Sequence, residues 1–364
     1  GSSNTAMGHN TLGANTTASN NTGFGYQVLA NNTTGHSNNA VGANTLMGNT
    51  TGNYNNAFGY RTLEDNTTGT ENSGFGHNAL TLTTTGSYNT AVGSSALNVN
   101  TTGHSNTAVG RSSLTANTTG THNVAIGYET LDNNTTGITN TAIGGRALGA
   151  NTTATYNTAM GVNAMYYSTT GSNNIAIGDT ALYANTTGYW NVAMGYHALE
   201  NNTTAGNSIA IGYKALEAST AGNNTAIGTT ALQNDTTGTK NTAVGYAAIR
   251  DTTTGDYNTA LGHAALALNT TADNNTALGY TSLYTNTTGS SNTAIGFNAI
   301  HANTTGDNLT SVGAYALDAN TTGIENTAIG YNSLGDNTTG NYNTAVGKNA
   351  SMDNTTASNN TSVG

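Results

Sequence analysis

One glycine recurs at a fixed interval along the whole chain, at Gly8, Gly25, Gly42 and onward to Gly364, spaced 17 residues apart except for the 16 between Gly212 and Gly228. A strict period of this length marks a repeat architecture, in which each repeat is one supersecondary unit that buries its apolar side only against its neighbours. The period therefore overrides a reading of 364 residues as two or three globular domains.

Aligning the chain on this glycine separates invariant columns from variable ones. The residue before it is apolar in all 22 copies, Ile126, Val244 and Phe58 among them, and a second apolar column, mostly Leu, stands four residues after it. Four residues before the glycine stands Asn in 20 of 22 copies, Ser208 and Leu309 being the exceptions, which points to a ladder of identical side chains. Apolar residues do not recur at three and four, and Gly, Asn and Thr are weak helix formers, so helices are excluded. The pattern predicts a short strand over Asn-Thr-Ala-Ile-Gly, a turn at Asn-Thr-Thr-Gly and a second short strand at Ala-Leu.

The expected fold is all-β: a parallel β-solenoid, or β-roll, of about 21 coils with 17 residues per coil. It spans 1–364 as one continuous array without caps, with the deletion in the coil 212–228 marking a tolerant loop. At a strand spacing of roughly 4.8 Å the coils would stack into a rod on the order of 100 Å long. The candidate core is Ile126, Leu131, Ile143, Leu148, Ile177, Leu182, Ile211 and Leu216; the turn glycines are Gly127, Gly144, Gly178 and Gly195; the asparagine ladder is Asn123, Asn140, Asn157 and Asn174. The array opens partway through a repeat and stops on its glycine, so it is expected to be a window of a longer array.

Side chains alternate along a strand, so Ala and the large apolar residue after it cannot share one interior. With Ile and Leu assigned inward, Ala faces partner chains. Two large side chains are a thin core for a 17-residue coil. A homo-oligomer is therefore expected, with a trimer of small-residue strands around an axis the favoured form. The absence of Pro fits a coil that uses its amides on neighbouring coils.

The blocks NVAIGYETLDNNTTG at Asn123–Gly137 and NTAIGYNSLGDNTTG at Asn326–Gly340 resemble the head repeat of trimeric autotransporter adhesins, whose S-V-A-I-G unit is similar to N-T-A-I-G. They also resemble the 17-residue arrays of phage tail fibres and bacterial surface proteins. The resemblance covers essentially the whole chain. It implies trimeric β-rolls, extracellular exposure and attachment or stalk functions, with left-handed winding in the adhesin head. The adhesin repeat is shorter, and neither an anchor nor a self-cleaving chaperone domain lies within this chain.

Composition narrows the function classes. Only 7% of residues are charged, and a net charge of −10 is spread without runs, which disfavours nucleic acid. No apolar stretch is long enough to span a membrane. The eight histidines occupy several repeat positions, the carboxylates stand singly in loops, and neither pattern predicts a metal site or cofactor. Catalysis needs a unique constellation, whereas these features recur some twenty times, so no enzyme is expected.

Asn15, Asn32 and Asn49 begin Asn-Thr-Thr triplets that match the N-glycosylation pattern, although turn hydrogen bonding is the safer reading of the recurrence. The first Thr of that turn is present in all 21 complete coils, which raises ice binding, but an extended Thr-Thr pair would point to opposite faces. Tyr128, Tyr196, Tyr213, Tyr246 and Trp190 occupy variable loops and are candidates for binding cell-surface carbohydrate or a receptor by stacking. The expected function is a structural extracellular fibre shaft, a cell-surface appendage or virion fibre, with an adhesive role. The alternatives are an ice-binding protein or a glycan-coated passive spacer.

Overall fold

A computed structural model describes residues 1–364. The chain is an all-β parallel solenoid of about 21 turns with 22 strands of three residues each and no helix. Two compact units carry the coils, Gly1–Thr187 and Gly188–Gly364. The first holds β1 (Thr5–Met7) to β11 (Ile175–Ile177), the second β12 (Val192–Met194) to β22 (Thr361–Val363). Within each unit consecutive strands pair parallel and in register, column on column, as where Val124, Ala125 and Ile126 face Thr141, Ala142 and Ile143.

The strand lies where the repeat predicts it, but its faces are reversed from the expectation. Ala125, Ala142, Ala159 and Ala176 point into their coils and are fully buried, whereas Ile126 is 39% exposed and Ile143, Ile177 and Ile211 are half-buried on the outside. The coil is too narrow for a branched side chain at the strand centre. Where Gly74 replaces that Ala, an added Cβ would already stand 2.6 Å from Thr62 Cγ2. Leu131, Leu148, Leu182 and Leu216 fill the interior with no accessible surface. Before each of them a small residue such as Thr130, Ala147 or Ala181 is buried as well. The Ala column is thus core, and the Ile column is surface.

The predicted second strand does not form. The residues two and four after the glycine both adopt left-handed backbone, Glu129 and Leu131 at φ 50° and Arg146 and Leu148 at 60° and 52°. This alternation turns successive amides to opposite sides of the coil. Gln27 N donates back to His9 O at 2.9 Å while Leu29 N donates forward to Thr45 O at 3.1 Å. Left-handed backbone costs a non-glycine residue about 1–2 kcal/mol, and it persists because hydrogen bonds and a buried Leu fix it from both sides. The amide use expected from the lack of Pro is present throughout this segment.

Two asparagine ladders run inside each unit. In the first, Asn123 Oδ1 accepts from Asn140 N at 3.0 Å and Asn140 Nδ2 at 3.2 Å, and Asn140 Nδ2 also donates to Ala154 O at 2.8 Å. Asn157 and Asn174 continue it, with Asn174 N donating to Asn157 Oδ1 at 2.9 Å. The second ladder is the Asn of the Asn-Thr-Thr turn. Asn49 Nδ2 donates to Asn32 Oδ1 at 2.8 Å and to Gly52 O at 3.0 Å. Where this Asn gives way to Thr83 and Ser168, the Oδ1 of Asn66 and Asn151 in the preceding coil has no partner.

The 16-residue coil keeps its register. Ile209, Ala210 and Ile211 pair with Thr225, Ala226 and Ile227, Thr220 N reaches Thr236 O at 2.9 Å, and Asn223 retains the left-handed backbone, φ 64°, that precedes every ladder Asn. The missing residue comes from the corner between turn and ladder.

Candidate functional site

Each coil presents three kinds of surface. The first is the outer face of the strand, built by the residues three and one before the glycine. No charged residue occurs in either column in any of the 22 copies. The outer column varies from Val41 to Met160, Leu261 and Phe58, and these four are all exposed. Phe58 and Phe75 stack on this face with centroids 5.1 Å apart, and Asn39 Nδ2 donates to Asn56 Oδ1 at 2.9 Å. An uncharged apolar stripe running through every coil of a unit exceeds the scattered apolar residues normal on a soluble surface.

The second surface is the corner after the glycine, where Tyr128, Tyr196, Tyr213 and Tyr246 lie exposed. Each has another ring or a cation packed against it. Tyr246, His263, Tyr280 and Phe297 form a continuous stack with centroids 5.0, 5.0 and 5.3 Å apart. Tyr196 and Tyr213 stack at 5.7 Å, and Tyr128 has the guanidinium groups of Arg111 and Arg146 at 5.3 and 5.9 Å from its centroid. These rings offer edges and hydroxyls to solvent but little free face for a sugar. Trp190 differs: it is 61% exposed and meets Tyr189 in a perpendicular arrangement, with centroids 5.2 Å apart.

The third surface is the Asn-Thr-Thr turn. Its Asn turns into the folded coil: Asn32 and Asn49 are fully buried, and Asn32 Nδ2 donates to Gly35 O at 2.9 Å. Asn15, in the first coil, is half-buried with Nδ2 3.3 Å from Ala18 O. Both threonines, in contrast, reach solvent. They occupy a bend rather than a strand, with Thr118 half-buried and Thr119 exposed, so the alternation expected of an extended pair does not apply. Thr135 O accepts from Thr118 N, Thr119 N and Thr118 Oγ1 at 2.9, 3.2 and 3.1 Å, which fastens the pair to the next coil.

Against this repetition one cluster stands alone. His197 Nδ1 is hydrogen-bonded to Glu200 Oε2 and lies 3.7 Å from Glu217 Oε1 in the next coil. The donor atoms of all three lie within 4.8 Å of one another. Burial pushes the Glu217 carboxyl up, but hydrogen bonds from Lys214 and Gln233 outweigh this and hold it below the usual carboxylate range. Sequence reasoning missed the cluster because it treated the carboxylates as solitary. The signal was present as a His three residues before a Glu, with a second Glu 17 residues on.

One further position breaks its column. Asp235 replaces the turn Asn and is fully buried, and burial raises its carboxyl to about 7 against the partial relief of hydrogen bonds from Ser219 and Gly238 N.

Comparison with protein-family models and with curated proteins finds no match, so the reading of these surfaces rests on their geometry.

Proposed function

We propose that the chain is a structural, extracellular fibre shaft with an adhesive role, built from several copies joined through the outer strand face, with a trimer the favoured form. The observation that carries this reading is the uncharged outer strand face, whose large apolar residue is exposed or half-buried in every coil of a single chain. The partner-facing residues are then Ile126, Ile143 and their column, not the buried Ala. A column that accepts Val, Leu, Met and Phe suits an interface whose packing is local to each layer.

Light scattering is expected to give about three times the 36.7 kDa chain mass. Ile126→Lys with Ile143→Lys, which places charge on that face without touching the Leu core, is expected to weaken assembly. A stable monomer for the unaltered chain sinks the reading. Attachment to a cell-surface carbohydrate or receptor is assigned to the variable corners, with the strongly exposed Trp190 the residue to stack on a sugar. Loss of surface attachment in Trp190→Ala supports that role, and unchanged attachment removes it.

A second reading is favoured by the turn. The first Thr is present in all 21 complete coils and the second in 20, Ala221 being the exception, although the second is exposed and neighbouring surface positions vary freely. Two uncharged hydroxyl and methyl ranks at the coil spacing of roughly 4.8 Å suit the ordering of ice-like water. Thermal hysteresis that disappears in Thr119→Tyr with Thr136→Tyr is the expected result, and no hysteresis in the unaltered chain dismisses it.

A further inference from the structure

Glu200 and Glu217 occupy the same place in neighbouring coils, five residues after Gly195 and Gly212, and no other neighbouring coils carry two carboxylates at this position. Like charges stacked on adjacent rungs repel, so the pair calls for a shared cation. The coil supplies a third donor by construction. The residue two after the glycine has left-handed backbone, φ 57° at His197 and 55° at Lys214, and this folds its side chain back onto the residue five after the glycine. The ion pairs Arg61–Glu64, His197–Glu200 and Lys214–Glu217 all repeat that geometry.

The corner between these two coils therefore gathers one imidazole nitrogen and two carboxylates. Their side chains are 21%, 21% and 18% exposed, sheltered yet open to an entering ion. The supporting shell is in place. Gln233 Nε2 donates to Glu217 Oε2 at 2.7 Å, which turns the other oxygen, Oε1, toward His197. The Tyr196 ring packs against the imidazole with centroids 3.8 Å apart and limits its rotation.

We propose that His197 Nδ1, Glu200 and Glu217 form a binding site for one divalent transition-metal ion, with zinc the ion of choice and water completing the shell. Nitrogen and carboxylate oxygen ligands sit about 2.0–2.2 Å from zinc, so the three donors close inward by small side-chain rotations from their present separation. The imidazole selects zinc and its neighbours in the first transition row over calcium or magnesium, which take oxygen ligands. Binding takes the Nδ1 lone pair of the neutral imidazole, whose one proton then sits on Nε2. Lys214 Nζ, 2.8 Å from Glu217 Oε1, is the resident competitor that the metal displaces from that oxygen.

The test is calorimetric titration of the metal-stripped full-length chain with zinc chloride. One ion per chain with affinity in the micromolar range or tighter is expected. Glu200→Gln with Glu217→Gln, close in shape to the originals, is expected to lower the affinity by roughly a hundredfold or more. Lys214→Met, which removes the competitor and no ligand, is expected to raise it by about tenfold. His263→Gln, a histidine outside the cluster, serves as the control and leaves binding unchanged. Absence of saturable zinc binding overturns the proposal, and so does binding that the double Gln variant retains at full strength. Because Lys214→Met is read as a gain in affinity, a variant that failed to fold could not imitate the expected outcome.

Discussion

Asp235→Asn is expected to stabilise the second unit by about 4 kcal/mol above pH 7 and to leave its stability little changed near pH 3. Asp235 stands where most coils place an Asn, fully buried, with Oδ2 accepting from Ser219 Oγ at 3.1 Å and Asn224 Nδ2 at 3.2 Å, and Oδ1 from Gly238 N at 3.1 Å. No cation faces it; the charged group acting on it is Asp256, which raises it further. A carboxyl moved from 3.8 to about 7 binds its proton more tightly in the folded chain than in the unfolded one.

The sign follows from linkage. The favourable contribution is complete below about pH 4, declines as the unfolded chain ionises and the folded chain does not, and is gone above about pH 7. At 1.36 kcal/mol per unit the loss is about 4 kcal/mol. Asn carries no such dependence and has a precedent in place: Asn303 Nδ2 donates to Gly306 O at 3.0 Å while Gly306 N donates to Asn303 Oδ1 at 3.1 Å. Denaturant unfolding between pH 4 and 8 is the measurement. A wild-type chain as stable at pH 8 as at pH 4 contradicts the argument.

The second large effect separates two adjacent glycines. Gly144→Ala is expected to destabilise the first unit by more than about 3 kcal/mol, while Gly145→Ala is neutral or stabilising by up to about 1 kcal/mol. Gly144 has φ 124°, where L side chains are strained, and a Cβ there would stand 2.5 Å from Gly161 O and 2.7 Å from its carbonyl carbon. Both contacts are backbone of the next coil and have no rotamer to yield. Relieving them separates the coils at the point where Gly161 N donates to Ile143 O at 2.8 Å. Gly145 has no atom within 4 Å of an added Cβ, and there Ala only reduces the freedom of the unfolded chain. Equal melting temperatures for the two variants would falsify the steric account.

Most of the coil was legible in the sequence because period, strand and turn are one-dimensional properties. The strand at Thr-Ala-Ile, the Gly corner and the Asn ladder all follow from columns counted along the chain. What failed was facing. Hydrophobicity assigned Ile126 inward, yet the columns carried a better guide in their tolerance of size. The position of Ala125 accepts only Ala, Gly or Ser in all 22 copies, as a closed interior demands, whereas that of Ile126 runs from Val to Phe, as open space permits.

The second strand failed for a different reason. Leu131 adopts a backbone that a Leu rarely takes alone, and only the hydrogen bonds of neighbouring coils make it the stable choice. Such a conformation belongs to the stack and is not written in any single repeat. The His197 cluster likewise lies between coils, so it emerges only when residues 17 apart are read side by side.

The shortened coil at 212–228 carries a consequence for building with this chain. Its strands remain in register although a residue has gone from the corner between turn and ladder. The spacing of the layers is therefore set by what stacks inside, and the corner works as a slack joint. A peptide grafted between Gly137 and Asn140, or at the same corner of any other coil, would be displayed at a chosen layer without retuning the rest, which makes the array a scaffold for presenting foreign loops at intervals of one coil.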